Sequence, residues 1–197
     1  MGTSSSSSSG GEEDAGTQEL LQETGFSAGH LQRLRERFDY LDKAGRGQLR
    51  MEDFESIPDL DSNPIKDRII AGFFSPGQET VDFPAFVRVL AHFRPRDRNR
   101  SRDRTQPEPP NTKTQKLRFA FQLYDLDGDG KISRAELLQV LQEMLGLQVN
   151  EEQLRCIAER AIQEADRDQD DAISFDEFKK SLEKVNVNEK MSIRFLE

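Results

Sequence analysis

The chain has 197 residues, 33% of them charged and 34% hydrophobic, with a net charge of −9. That composition excludes a uniformly basic nucleic-acid binder and allows one domain or two small ones. A single cysteine, Cys156, leaves no internal disulfide framework and fits a reducing compartment, and no run of about 18 apolar residues or N-terminal apolar stretch predicts a membrane span or a secretory signal.

Residues 1–17 are Ser- and Gly-rich without apolar periodicity and read as a flexible tail. Its first residues, Met1-Gly2-Thr3-Ser4-Ser5-Ser6, fit the pattern for N-myristoylation of Gly2, and read equally as a plain flexible leader. Residues 18–93 predict a first helical lobe, where Leu31, Leu34, Phe38 and Leu41 form an amphipathic stripe behind an N-cap at Ser27. Residues 94–116 hold four prolines and almost no apolar side chains, the composition of a linker. Residues 94–118 carry 9 basic and 3 acidic groups between two acidic blocks.

Residues 117–197 predict a second lobe. Leu117, Phe121 and Tyr124 mark one helix, and Leu137, Leu138, Leu141 and Leu145 a second. A third opens on Asn150 with Gln153 and runs through Leu154, Ile157, Ala158 and Ile162; Phe175, Phe178 and Leu182 mark the last. Cys156, next to Ile157, is expected to be a buried thiol.

The chemistry lies in the loops between these helices. Asp125-Leu-Asp127-Gly-Asp129-Gly130-Lys131-Ile132-Ser133-Arg-Ala-Glu136 matches the EF-hand calcium loop at every diagnostic position. Ca2+ is a hard cation that takes six to eight oxygens at about 2.3–2.6 Å. Asp125, Asp127 and Asp129 offer three carboxylates from one tight turn, Lys131 a backbone carbonyl, Ser133 a water contact and Glu136 two closing oxygens. Gly130 permits the left-handed turn. A second match uses Asp166, Asp168, Asp170, the carbonyl of Ala172, Ser174 and Glu177, with Asp171 in place of the turn glycine. Asp tolerates the left-handed region better than most residues, at a strain of about 1 kcal/mol.

Two damaged copies lie upstream. The loop from Asp42 to Asp53 keeps Gly47 and the apolar Leu49, but Ala44 and Arg46 remove two ligands and Arg46 puts a positive charge where a cation would sit. The copy aligned on Val81 starts at Phe74 and ends at Ala85, so it lacks both end ligands. Both loops are expected to be scaffold, paired through Leu49 and Val81. The expected fold is all-α: four EF-hands in two lobes with short paired-loop β contacts, joined by a polar linker, and two Ca2+ sites in the second lobe only.

The chain resembles the calcineurin B homologous proteins. The resemblance covers nearly all of residues 20–197. It is carried by ETGFS (23–27), NPIKDRII (63–70), VDFPAFVRVLAHFRP (81–95), LYDLDGDGKISR (123–134), LQVL (138–141), IQEAD (162–166), AISF (172–175) and EKMSIRFL (189–196). It implies an N-myristoylated EF-hand protein that binds the cytoplasmic juxtamembrane helix of Na+/H+ exchangers as an essential cofactor, regulating transport and intracellular pH. It also implies inhibition of, or kinship with the regulatory subunit of, the phosphatase calcineurin. The expected location is cytoplasmic and peripheral at the plasma membrane and endomembranes, with nuclear shuttling. The basic linker departs from the more acidic linkers of that family.

One myristoyl chain holds a membrane only marginally, so a second contact is required. Arg94, Arg96, Arg98, Arg100, Arg102 and Arg104 alternate, and in an extended chain would face one side, suited to anionic lipid. The same run reads as a solvated linker offsetting two acidic lobes. No aromatic residue is interleaved for stacking on RNA, and no nucleic-acid partner is expected. The thirteen phenylalanines and many leucines on the helices suit a groove for a partner helix, most of them also serving as core. Met191, Ile193, Phe195 and Leu196 are expected to dock on their own lobe or border that partner. The leading expectation is thus a Ca2+-binding regulatory subunit whose lobes clasp a transporter helix. A B-type phosphatase subunit and a plain Ca2+ buffer are the alternatives. An enzyme is not expected, because neither Cys156 nor the two histidines lie in a nucleophile motif and no Gly-rich phosphate loop is present.

Overall fold

The computed structural model describes residues 9–57, 60, 62–95, 108–146 and 148–191. In the N-terminal lobe, α1 (Ser9–Thr24) and α2 (Ala28–Leu41) precede the short strand β1 (Gln48–Leu49) and α3 (Met51–Phe54). Then come α4 (Lys66–Ala71), β2 (Val81–Asp82) and α5 (Phe83–Ala91). In the C-terminal lobe, α6 (Lys113–Gln122), β3 (Lys131–Ser133) and α7 (Arg134–Leu145) are followed by α8 (Glu151–Ala165), β4 (Ala172–Ser174), α9 (Phe175–Ser181) and α10 (Val187–Lys190). Among the described residues the molecule is all-α apart from two antiparallel strand pairs, and no helix there is long and apolar enough to cross a membrane.

The predicted caps are in place. The Ser27 side chain accepts from the His30 N–H, and Asn150 exchanges hydrogen bonds with Gln153 at the start of α8. The α2 stripe of Leu31, Leu34, Phe38 and Leu41 is fully buried. Phe38 meets Phe83 and Phe86 edge to face, each pair with ring centroids 5.5 Å apart. In the second lobe Phe121 does the same with Phe175 and Phe178, over Ile132, Ala158, Ile162 and Ile173. Each strand pair sets one apolar residue opposite another, Leu49 against Val81 and Ile132 against Ile173, so loop pairing and core packing are fixed by the same contacts.

Several expectations are corrected. Residues 9–17, assigned to a flexible tail, belong to α1; Leu20 and Leu21 pack into the N-terminal core, and a helix anchored there extends cheaply because propagation costs far less than nucleation. Residues 113–116, assigned to the linker, form the first turn of α6, where the Thr112 side chain accepts from the Gln115 N–H. Arg94 is not one of a row on one side of an extended chain: Nη1 donates to the Thr24 carbonyl at 2.9 Å and the guanidinium lies over the Phe26 ring. Arg96, Arg98, Arg100, Arg102 and Arg104 lie outside the described residues.

Cys156 is exposed, not buried, and Ile157 is 40% exposed. The buried stripe of α8 is Leu154, Ala158, Ile162 and Ala165, and Cys156 points away from it. Leu182 caps α9 and is followed by α10, which the apolar spacing did not announce. Met191 is the last described residue of the C-terminal apolar run, and its carbonyl accepts from the buried Lys116 ammonium at 3.0 Å.

The lobes touch. His92 stacks on Phe119 with ring centroids 5.2 Å apart, and Phe93 meets the same ring edge on at 5.3 Å. Gly72 lets this contact close: a Cβ there would lie 3.0 Å from Phe119 Cζ and 3.1 Å from Leu123 Cδ2. Beside it, the buried Arg68 of α4 crosses to Glu143 of α7.

Candidate functional site

Each acidic loop of the C-terminal lobe sits between the end of one helix and the start of the next. α6 stops at Leu123, two residues short of Asp125, and α7 starts behind Ser133. The turn between them needs two left-handed residues, Gly128 (φ 73°) and Gly130 (φ 87°). In the second loop the same positions are Gln169 (φ 63°) and Asp171 (φ 65°). The tolerance expected of Asp171 is therefore observed, whereas Gln169 was not anticipated, because the loop pattern leaves its position open.

Carboxylate oxygens of Asp125, Asp127 and Glu136 converge within 4.8 Å of one another, and so do those of Asp166, Asp168 and Glu177. Asp129 and Asp170 stand outside these tight clusters. One oxygen of Asp129 accepts from the Lys131 N–H at 2.8 Å, and one of Asp170 accepts from the Ala172 N–H at 3.0 Å. Lys131 and Ala172, the expected carbonyl donors, stand at the two ends of the same strand pair. The Lys131 ammonium crosses it to Asp170, an ion pair between the loops that the pattern does not encode. Gly2 lies outside the described residues.

Glu136 is buried at the third position of α7. Its Oε2 accepts from the Ser133 N–H at 2.8 Å and from the Ser133 hydroxyl at 2.6 Å, and its Oε1 accepts from the Leu126 N–H at 2.7 Å. Glu177 repeats this with Ser174 and with the Arg167 N–H. A capping box thus aims the last acidic residue of each loop inward. Burial alone would raise the Glu136 carboxyl, but the Ser133, Leu126 and Asp127 hydrogen bonds outweigh it and hold it below the usual range. The Arg167 N–H leads the bonds that bring Glu177 down to about 2.

One acidic residue early in each loop is pushed the other way. Desolvation raises Asp125, with the charges of Asp129 and Glu136 adding to it. Desolvation likewise raises Asp168, assisted by Asp170 and Glu177. Among the described residues, Asp125 Oδ1 is buried without a hydrogen-bond partner. Crowded carboxylates fixed as anions at one end and destabilised as anions at the other, with a buried oxygen left over, form a donor set that fits a hard divalent cation such as Ca2+.

The N-terminal loops are built differently. Asp42 accepts from the Arg46 and Gly47 N–H groups at 3.0 and 2.6 Å, as a first-position aspartate should. The Arg46 guanidinium then donates to Asp53 Oδ2 at 2.6 Å, so a side-chain cation closes the loop. The loop beginning at Phe74 keeps a left-handed glycine, Gly77 (φ 79°), while Phe74 packs against Phe54.

A family model described as an EF-hand domain pair matches residues 114–183, from the first turn of α6 past the end of α9. The calcineurin B subunit of Naegleria gruberi is 37% identical over 177 residues, 90% of this chain and 92% of that protein. The chain belongs to the calcineurin B-like family of calcium-binding EF-hand proteins. The calcineurin B subunit of Candida glabrata is 35% identical over 176 residues, 89% of this chain and 93% of that protein. A match over about nine-tenths of the chain takes in both lobes.

Proposed function

We propose that this calcineurin B-like chain is a Ca2+-binding regulatory subunit with two cation sites, one formed by Asp125, Asp127, Asp129, the Lys131 carbonyl and Glu136, the other by Asp166, Asp168, Asp170, the Ala172 carbonyl and Glu177. The convergence of three carboxylates in each loop supports this reading most directly. Bound Ca2+ supplies positive charge that relieves the repulsion among these carboxylates and ties the start of each loop to its end. The chain's own residues do the rest: the capping boxes hold Glu136 and Glu177, and the paired strands set the two loops side by side. Titration calorimetry tests it. Two Ca2+ are expected, with Glu136→Gln and Glu177→Gln each abolishing one high-affinity event; a stoichiometry of three or four overturns the assignment.

For the partner, the reading is an amphipathic helix from the cytoplasmic juxtamembrane region of a Na+/H+ exchanger, held by apolar side chains. Support comes from the segments that resemble calcineurin B homologous proteins and from Leu126, Met144, Ile157 and Val185, large apolar residues that are 39–48% exposed in the C-terminal lobe. A myristoyl group on Gly2 would bring the chain to the cytoplasmic face of the membrane. A second reading, as partner of a calcineurin-type catalytic subunit, is favoured by the relatives that are themselves calcineurin B subunits. Binding of an exchanger juxtamembrane peptide and of a phosphatase B-binding helix, measured side by side with Ca2+, separates them: tighter binding of the phosphatase helix rejects the exchanger reading.

A further inference from the structure

Arg68 is the one arginine among the described residues that is buried, at 7% exposed, and it lies in the lobe without the acidic clusters. All three of its observed hydrogen bonds reach into the other lobe. Nε donates to Glu143 Oε2 at 2.5 Å and Nη2 to Glu143 Oε1 at 2.8 Å, a two-pronged ion pair. Nη1 donates to the Leu123 carbonyl at 3.0 Å.

The two acceptors are special in their placement. Leu123 is the C-cap of α6, two residues before Asp125, the first acidic residue of its loop. Glu143 lies about two turns along α7 from Glu136, the last acidic residue of the same loop. One guanidinium therefore bridges the helix that enters the Asp125–Glu136 loop and the helix that leaves it. No bond of Arg68 reaches α8 or α9, which flank the other loop. Gly72, the C-cap of α4 one turn further on, brings backbone against Phe119 of α6 and its C-cap Leu123, so the strap is backed by close packing.

The angle between entering and leaving helices sets how near Asp125 comes to Glu136. A buried guanidinium that loses an acceptor keeps its desolvation cost, so it resists changes in that angle. We infer that Arg68 is a positioning residue for the Asp125–Glu136 cation site: a side chain of the N-terminal lobe that sets the Ca2+ affinity of one C-terminal loop and leaves the other alone. By linkage, filling that loop tightens the contact between the lobes by the same factor. The inference rests on the two-site Ca2+ reading above.

The test uses the full chain in two backgrounds, each titrated with Ca2+. In Glu177→Gln, where Asp125–Glu136 is the remaining site, Arg68→Met is expected to weaken Ca2+ binding about tenfold, within the usual range of coupling between sites. In Glu136→Gln, where Asp166–Glu177 remains, the same change is expected to shift affinity less than about twofold, the difference expected of uncoupled groups. Glu143→Gln, which leaves the arginine buried in place, should reproduce the pattern more weakly and serves if Arg68→Met does not fold. Equal losses in both backgrounds would mark Arg68 as a general stabiliser and overturn the inference. Unchanged affinity in Glu177→Gln overturns it too while leaving the cation sites standing. No Ca2+ binding by the Glu177→Gln chain overturns the site reading itself, and the inference with it.

Discussion

Arg46 Nη2 lies 2.6 Å from Asp53 Oδ2, across a loop whose first aspartate, Asp42, is held as in a cation-binding loop. A side-chain cation thus sits against the last acidic residue of this loop. The pair is 32% and 11% exposed, so it is partly screened. Arg46→Ala is expected to destabilise the N-terminal lobe by about 0.5–1.5 kcal/mol in urea unfolding, the usual worth of such a bond. It is also expected to add no Ca2+-binding event, since Ala44 still lacks a ligand; a third event in calorimetry would show that the arginine alone was keeping the loop closed to cations.

Gln169 bears the left-handed conformation that Gly128 bears in the preceding loop. An L-residue there costs about 1–2 kcal/mol, of which glycine gives back roughly half through its freer unfolded chain. Gln169→Gly should therefore raise the stability of the C-terminal lobe by about 0.5–1 kcal/mol, while Gln169→Ala, which keeps a Cβ, should change it little. Thermal unfolding of the pair decides it: a loss of stability on going to glycine would mean the Gln169 side chain contributes something the backbone angle does not reveal.

Lys116 is fully buried, and burial lowers its pKa from 10.5 to about 8. Between those values the unfolded chain holds a proton there that the folded chain has released, so folding stability from this group rises with pH across the window and falls as pH drops through 8. Removing the amine in Lys116→Met should flatten this rise. The comparison is of unfolding free energies for the two proteins from about pH 7.5 to 10.5; parallel curves would mean the ammonium stays protonated, held by the Met191 carbonyl.

Gly2→Ala is expected to move the protein from membranes to the soluble fraction without changing its Ca2+ stoichiometry, because it removes the glycine that the acylation pattern requires and no loop ligand. Mass spectrometry of protein from native tissue with an unmodified Gly2 would remove the basis for this expectation.

Periodicity placed the helices, and the apolar position in each loop placed its strand. The register of Ile132 against Ile173 follows from a single apolar position in each loop, and the caps at Ser27 and Asn150 follow from side chains that can only act locally. Long-range partners were not legible. Nothing near Arg68 in the sequence announces Glu143, which lies 75 residues away, and nothing about Lys131 announces its bond to Asp170. Cys156 was misplaced because adjacency to Ile157 was read as burial, when the face of α8 that packs is set by Leu154 and Ala158. The reach of α1 into residues 9–17 was hidden because Ser and Gly composition speaks to local preference, whereas Leu20 anchors the helix from its other end.

The Asn111 amide donates to the Pro95 carbonyl at 2.9 Å, so the chain returns after 16 residues to the point from which it left. Pro95 lies two residues past Phe93, which packs on Phe119, and Asn111 immediately precedes the Thr112 cap of α6, so this bond joins the end of one lobe to the start of the other at the seam where they touch. A single cut between the two residues would therefore leave the lobes held by side chains and not by backbone alone, and the nicked protein should stay in one piece.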